Sequence, residues 1–480
     1  MKRAFRSTLL SAILTCSLIL LSACGGNNSK DDNSSPNSGA TSTASGSETA
    51  SAEASSEEPA ANGKPVVIRH TMYDTEFSSE MVAEFEKTHP NIKVEIVSAD
   101  YNKLMAMMAA GNGPDIIRTN TNELSGYVLK GMALDLTPNF NNSTVFKPDD
   151  FYPVVNQFKY DTTTGVHGEG PLYGFPKDWS PDFTIYYNKK MFEAAGVPLP
   201  SSTEAMTWTE LIELGKKLTV KNGKKVSQYG VVYFNGSTAA NQDLLNVQLL
   251  QQGGSMFSDD YSKADLSTPG MKDLLNFWVD TAKFGVGPSP LHQETDWGGQ
   301  LFVDNKAAII ISGYWFSGFL KTNELTKDRL GDFGVAPAPY LEGGKRISPT
   351  AFGTGAIIYK NTKHPKEAWE VFEWFFGGKP AEDRAKAGYG LPGTKALAAL
   401  LPQTTEFDKM SYDFIQNELQ YTDGSPPYNP FLNYQAVNSI FDKYFTPVYF
   451  DKDTVEGATQ KMTEELNTLI TEGKQLVSPE

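Results

Sequence analysis

Beyond residue 64 the apolar positions recur with two alternating periods. Residues 66–72 form a short apolar run that reads as a strand. Ser78-Ser79 then offers a helix cap, Met81, Val82 and Phe85 make one apolar face, and His89-Pro90 stops the helix. Ile92, Val94 and Ile96 alternate with Lys93 and Glu95, the period of a second strand. A helix over 101–110 turns Leu104, Met105 and Met108 inward, a Gly-Pro turn at 111–114 ends it, and Asp115-Ile116-Ile117 opens a third strand. Strand, helix, strand, helix, strand predicts an α/β lobe with a largely parallel sheet. The alternation returns later, with helices over 208–218, 243–252, 271–284 and 365–376 and strands over 229–234, 307–311 and 354–359. From about residue 411 the chain is mostly helical, and no short repeat is present, which argues against a solenoid.

The N-terminus follows another pattern. Lys2, Arg3 and Arg6 precede an uncharged apolar run over 9–21, shorter than the roughly 20 residues that span a bilayer. This predicts a secretion signal over 1–23. Leu21-Ser22-Ala23-Cys24 resembles the lipobox of bacterial lipoproteins, and that resemblance implies a diacylglyceryl group on the Cys24 thiol. Cys16 leaves with the signal, so the mature fold has no disulfide. Residues 25–64 contain no aromatic residue and no Val, Ile, Leu or Met. Such a segment cannot offset its ordering entropy, so 24–64 is expected to be a lipidated cysteine and a flexible tether, with a coil dimension on the order of 35 Å.

Roughly 400 residues remain, enough for two lobes with separate cores. The net charge of -15 argues against nucleic acid and anionic lipid surfaces as partners. His70, His89, His167, His292 and His364 are scattered without paired metal-ligand spacing, and Asp451, Asp453 and Glu456 are too closely spaced for an EF-hand loop. No metal and no cofactor is expected. Neither a Gly-x-Ser-x-Gly elbow nor a phosphate-binding loop occurs.

Five stretches then resemble, in order, the extracellular solute-binding proteins of the group that includes maltose-binding protein. They are Phe85-Glu86-Lys87 with His89-Pro90-Asn91-Ile92; Ala109-Ala110-Gly111 with Gly113-Pro114-Asp115-Ile116-Ile117; Tyr186-Tyr187-Asn188-Lys189-Lys190-Met191-Phe192 with Ala195-Gly196-Val197 and Thr207-Trp208-Thr209-Glu210-Leu211; Asn305-Lys306-Ala307-Ala308-Ile309 through Gly313-Tyr314-Trp315; and Lys363-His364-Pro365 through Trp369-Glu370 with Leu391-Pro392-Gly393. Thr184 and Ala194 depart from the usual residues beside the Tyr-Tyr-Asn run. The resemblance implies a two-lobe α/β fold of the periplasmic-binding-protein type, with hinge crossovers and an interlobe ligand cleft. Residues 65–181 and 350–394 would form one lobe, 182–349 and 395–480 the other. It also implies a monomeric, non-enzymatic receptor that hands its ligand to the permease of an ABC importer. With the anchor, this places the chain on the outer face of the cell membrane, as suits a Gram-positive surface.

Sugars present C–H faces to aromatic rings and hydroxyls to polar side chains. Tyr73, Asp74 and Glu76 follow the first strand, where an open α/β sheet carries ligand loops. Asp115 follows a Gly-Pro turn and either contacts ligand or caps local backbone. Asp178 and Trp179 lie beside the hinge between Pro176 and Pro181, Trp297 sits in a loop, and Trp315 ends the strand over 307–311 at a position where relatives place a stacking aromatic. Relatives carry a tryptophan where this chain has Thr354, leaving Phe352 to substitute. Trp208, Trp278, Trp369 and Trp374 fall on amphipathic helices or a helix start and are assigned to core. The expected ligand is a sugar, an oligosaccharide first. Alternatives are a non-sugar solute, a receptor read by a sensor kinase, and an anchored glycoside hydrolase, which would need two carboxylates across the cleft.

Overall fold

The computed structural model describes residues 64–98, 101–422, 426 and 428–477. The signal, Cys24 and the tether lie outside them. The strands are β1 Val66–His70, β2 Ile92–Ile96, β3 Ile116–Asn120, β4 Lys159–Asp161, β5 Val166–Leu172, β6 Gly174–Asp178, β7 Thr184–Asn188, β8 Val220–Asn222, β9 Lys225–Tyr233, β10 Ala307–Ser312, β11 Phe333–Ala336 and β12 Thr354–Ile358. They form two five-stranded sheets, ordered β2-β1-β3-β12-β6 and β11-β7-β10-β9-β8, and a β4–β5 hairpin that the sequence pattern did not predict.

In the first sheet β1 pairs in parallel with β2 and β3, as the βαβ pattern requires, while β12 runs antiparallel to both β3 and β6. The chain leaves this sheet at the C-terminal end of β6 and comes back at the same end, so β12 must run the other way. Its first residue, Thr354, pairs with Asn120 and Asp178, the last residues of β3 and β6. The second sheet is mixed: β10 is parallel to β9 and antiparallel to β7.

Helices cover both sheets because their residues face two ways. Along β10, Ile309 and Ile311 join a core with Trp208, Trp278 and Phe441, while Ala307 and Ile310 join another with Phe302, Phe316 and Phe333. The Tyr-Tyr-Asn run shows the same division: Tyr187 enters the first of these cores, Tyr186 the second. Asn188 caps the helix Lys189–Ala195 by accepting from the Lys190 N–H at 3.1 Å, and Thr207 with Glu210 forms a capping box on Trp208–Leu218. These family stretches are therefore scaffold. The first sheet has its own core, with Ile68, Phe85, Ile117, Phe158, Phe175 and Phe372 fully buried, each such side chain worth ~2–3 kcal/mol of transfer free energy.

Three passages join the sheets: β6 to β7, β11 to β12, and a third after Leu401, which still packs in the first core, leading into the helix Glu406–Glu418, which meets both cores through Ile415 on one side and Phe407 and Phe414 on the other. The third lies beyond Thr394, where the sequence reading put the crossing; Thr394 instead bridges Phe151 of the first lobe. No described helix is long and apolar enough to cross a membrane.

Candidate functional site

A cavity of about 880 Å³ opens where the C-terminal ends of β3 and β6 meet the start of β12 and the ends of β9 and β10. Its first-sheet wall is charged. Arg118 alternates with the inward residues of β3 and donates from Nε to Glu76 Oε2 at 2.8 Å and from Nη2 to Oε1 at 3.1 Å. The Lys177 ammonium lies 3.3 Å from Glu76 Oε1 and 3.1 Å from Asp178 Oδ1. Thr354 donates to the same Asp178 oxygen. Burial alone would raise the Glu76 pKa, but the Lys177 and Arg118 charges overcome it and hold the carboxyl at about 2. The Arg118 guanidinium also lies 4.5 Å from the Tyr73 ring centroid, and Arg384 lines the cavity further along with Tyr389. Gly390, at φ +82°, packs where a Cβ would strike the Asp178 side chain.

The second-sheet wall is aromatic. Trp297, just before the helix Gly298–Val303, stacks on Trp315, the first residue of Trp315–Thr322, with ring centroids 6.2 Å apart at 23°. Phe234, next after β9, meets the Trp315 ring edge-on at 6.0 Å and the Phe352 ring at 5.7 Å. Gly313 has no Cβ to collide with Ser180, Asp182 and Trp315, so the end of β10 can tuck against the hinge.

The floor consists of the passages themselves. Asp182 Oδ2 accepts the backbone N–H groups of Ala351 at 2.8 Å and Phe352 at 2.9 Å, tying the first passage to the second. Burial pushes its pKa up to about 7, and those two N–H donors only partly offset the effect. Trp179 exchanges backbone bonds with Leu391 and donates its indole N–H to the Pro392 carbonyl at 2.8 Å.

Most residues singled out in the sequence therefore meet here: Tyr73, Glu76, Asp178, Trp179, Trp297, Trp315 and Phe352 all line the cavity. Two do not. Asp115 sits at the opposite end of β3, where its carboxylate accepts from the Arg69 N–H of β1 at 2.8 Å and the Thr362 hydroxyl after β12 at 2.6 Å, so it ties distant segments together and neither lines the cleft nor caps its own turn. Asp74 is exposed in the turn after β1, and the lining passes from Tyr73 to Thr75 and Glu76. Trp179 contributes while its ring is held in the first core. Trp315 begins a helix rather than ending a strand.

Arg118, Lys177, Arg384, Asn235 and Tyr434 were missed. An arginine inside an otherwise buried strand was the available signal for Arg118. Its partner Glu76 lies far away in sequence, and only the sheet brings them together. Asn235 and Tyr434 both donate to Asp243, at 3.4 and 2.8 Å, which also accepts from Tyr233 and Tyr428. No group of His, Cys, Asp or Glu side chains among the described residues is placed to hold a metal ion.

Two α/β lobes joined by three passages, with a polar and aromatic cleft at the passages, define a two-lobe solute-binding protein. The family model for bacterial extracellular solute-binding proteins matches residues 73–381, and the chain belongs to that family. It is 25% identical over 337 residues to a maltodextrin-binding protein of Bacillus subtilis (strain 168), covering 67% of this chain and 71% of that one. It is 24% identical over 367 residues to an arabinooligosaccharide-binding protein of the same organism, covering 72% and 74%. Among solved structures, it resembles an ABC substrate-binding protein from Listeria monocytogenes in complex with cycloalternan, with TM-score 0.69, 23% identity and coverage of 85% and 99%. The sugar-binding protein MalE from Xanthomonas citri gives TM-score 0.62, 19% identity and coverage of 86% and 100%. These structural likenesses carry the fold.

Proposed function

We propose that this protein is the substrate-binding component of an ABC importer, that it binds a sugar, an oligosaccharide first, in the cleft between its lobes, and that it releases that sugar unchanged. The observation that carries the reading is the division of the cleft. Trp297, Trp315, Phe234 and Phe352 offer ring faces on one side, and Glu76, Arg118, Lys177 and Asp178 offer hydrogen-bonding groups on the other. A pyranose needs both, since its C–H patches cover aromatic faces and its hydroxyls must be paired once water is lost. The names of the relatives, which bind maltodextrin and arabinooligosaccharide, favour the same ligand class.

Closure follows from contact with both walls. A ligand touching only one lobe has no preference between open and closed forms, whereas one bridging Trp315 and Arg118 favours the closed form by its differential contacts. The permease would read that shape difference. The carboxylates argue for binding rather than hydrolysis. Glu76 and Asp178 both engage Lys177 on a single wall, and Asp182 is committed to backbone N–H groups. Cys24 would carry the lipid, with the tether holding the lobes clear of the membrane.

The test is a thermal-shift screen of the purified protein against neutral oligosaccharides, polyols, amino acids and organic anions. Binding to the native state raises the midpoint with the logarithm of ligand over Kd. A shift with a saccharide recovered intact supports the reading; shifts confined to other solutes would refute the sugar. Cys24→Ala should release the protein from membranes, and retained lipid attachment would refute the anchor.

A further inference from the structure

A second cavity, of about 380 Å³, adjoins the cleft in the second lobe, and Asn235, Tyr434 and Gln435 line both. Asp243 lines this cavity but not the cleft. It sits in the first turn of the helix Gln242–Gln252, which Asn241 caps by accepting the Asp243 and Leu244 N–H groups at 3.1 Å each. Its carboxylate is buried and accepts four side-chain donors. Oδ2 takes the Tyr434 hydroxyl at 2.8 Å, the Tyr233 hydroxyl at 3.3 Å and Asn235 Nδ2 at 3.4 Å, and Oδ1 takes the Tyr428 hydroxyl at 3.3 Å. Among the described residues that line this cavity there is no Lys, Arg or His to balance the charge.

Burying a carboxylate without a counter-charge is unfavourable. Here burial raises Asp243 to about 6, and the four hydrogen bonds offset only part of the effect. What the group does achieve is orientation. Two of its four partners, Asn235 and Tyr434, are polar side chains of the cleft wall that otherwise carries aromatic faces. A tyrosine hydroxyl has one hydrogen, and once that is given to Asp243 its oxygen can only accept. Asn235, with one N–H so engaged, keeps its carbonyl oxygen as an acceptor as well. We infer that Asp243 is a positioning residue for sugar recognition: its carboxylate draws the Tyr434 hydroxyl hydrogen and an Asn235 N–H away from the cleft, so that this wall meets the ligand's hydroxyl groups with acceptors. The inference rests on the sugar reading of the cleft and adds the residue that sets the hydrogen-bonding sense of one wall.

The experiment is calorimetric titration of the wild-type protein, Asp243→Asn, Tyr434→Phe and the double variant with maltotriose, arabinotriose, mannotriose and galactotriose, with thermal unfolding as a check on folding. For any of these sugars that the wild type binds, each single variant should lose about tenfold in affinity, the scale of one hydrogen bond. The double variant should lose about tenfold again rather than the product of about a hundredfold, because both changes break one linkage. A residue that only supports the fold would not produce that coupling. Acid gives a second readout: the gap between wild type and Asp243→Asn should close as pH falls from about 8 to about 5, since a proton then neutralises Asp243. Asp182, Asp442 across the cavity and Glu123 near Tyr434 are carboxylates that burial also raises, but they are common to both proteins and drop out of the difference. Wild-type affinity in Tyr434→Phe overturns the inference even if Asp243→Asn does not fold. Losses that multiply in the double variant, or a gap that does not change with pH, overturn it too, and each leaves the sugar reading intact. Failure of all four sugars to bind the wild type removes that reading, and this inference with it.

Discussion

Trp297 and Trp315 stack at 6.2 Å and 23° at the lip of the cleft, and Trp297 is 38% exposed. Trp315 packs against the second sheet's core while Trp297 stays open to solvent, so the pair presents an apolar face to anything entering. Trp315→Ala should weaken saccharide binding by about 10- to 100-fold, or ~1–3 kcal/mol, with Trp297→Ala somewhat less. The unfolding midpoint of Trp297→Ala should barely move, and that of Trp315→Ala should fall modestly because its ring also packs against the core. Titration calorimetry with parallel thermal melts checks this, and unchanged affinity in both variants would remove the pair from the site.

Trp179 should behave differently although it lines the same cavity. It is buried, its indole N–H is taken by the Pro392 carbonyl, and its ring packs in the first core. Trp179→Ala should lose about 3–5 kcal/mol of stability, the cost of a large core truncation. Denaturant unfolding measures it; a loss under 1 kcal/mol, on the scale of an exposed side chain, would show that the ring is free for ligand.

Glu76 neutralises two cations with little access to water: its side chain is 12% exposed, those of Arg118 and Lys177 17% and 4%. Glu76→Gln should destabilise by about 3 kcal/mol, because two buried cations lose their shared anion. With its carboxyl held at about 2 against an ordinary 4.5, Glu76 contributes stability that is present above 4.5 and is lost as pH falls through 2. Acid unfolding of wild type and variant should therefore converge at low pH. Parallel curves would show that the ion pairs add nothing.

Asp182 works in the opposite sense. Its pKa is raised from 3.8 to about 7, so its contribution is complete below 3.8 and is lost as pH climbs through 7. The melting temperature should fall between pH 5 and about 8, and Asp182→Asn should flatten that fall. Some slope should remain, because burial raises Asp243 to about 6 and acts in the same direction. An identical pH profile in the variant would mean that Asp182 does not titrate in this range.

The scaffold was legible where local chemistry decides it. The helix at Trp208–Leu218 carries its own capping box, and Thr207-Trp208-Thr209-Glu210-Leu211 is that box written out. The aromatic wall was legible too, because a tryptophan in a loop has few structural reasons to be there. Charge pairing was not. Arg118 finds Glu76 only after β1 and β3 align, and Lys177 finds both Glu76 and Asp178 only at the end of β6. Asp115 misled for the converse reason: a carboxylate after a Gly-Pro turn looks the same at either end of a strand, and only the sheet puts it at the end away from the cleft. The β4–β5 hairpin escaped because Val166–Leu172 is largely exposed, with two glycines and a proline in it, so no apolar alternation marks it.

The most direct test of the account is titration calorimetry of the wild-type protein with the saccharide that stabilises it best, followed by chromatography of the recovered sugar. Saturable binding at one site, with the sugar recovered intact and the affinity reduced in Trp315→Ala, is the predicted result. No saturable binding of any saccharide, or recovery of shortened sugar, would contradict it.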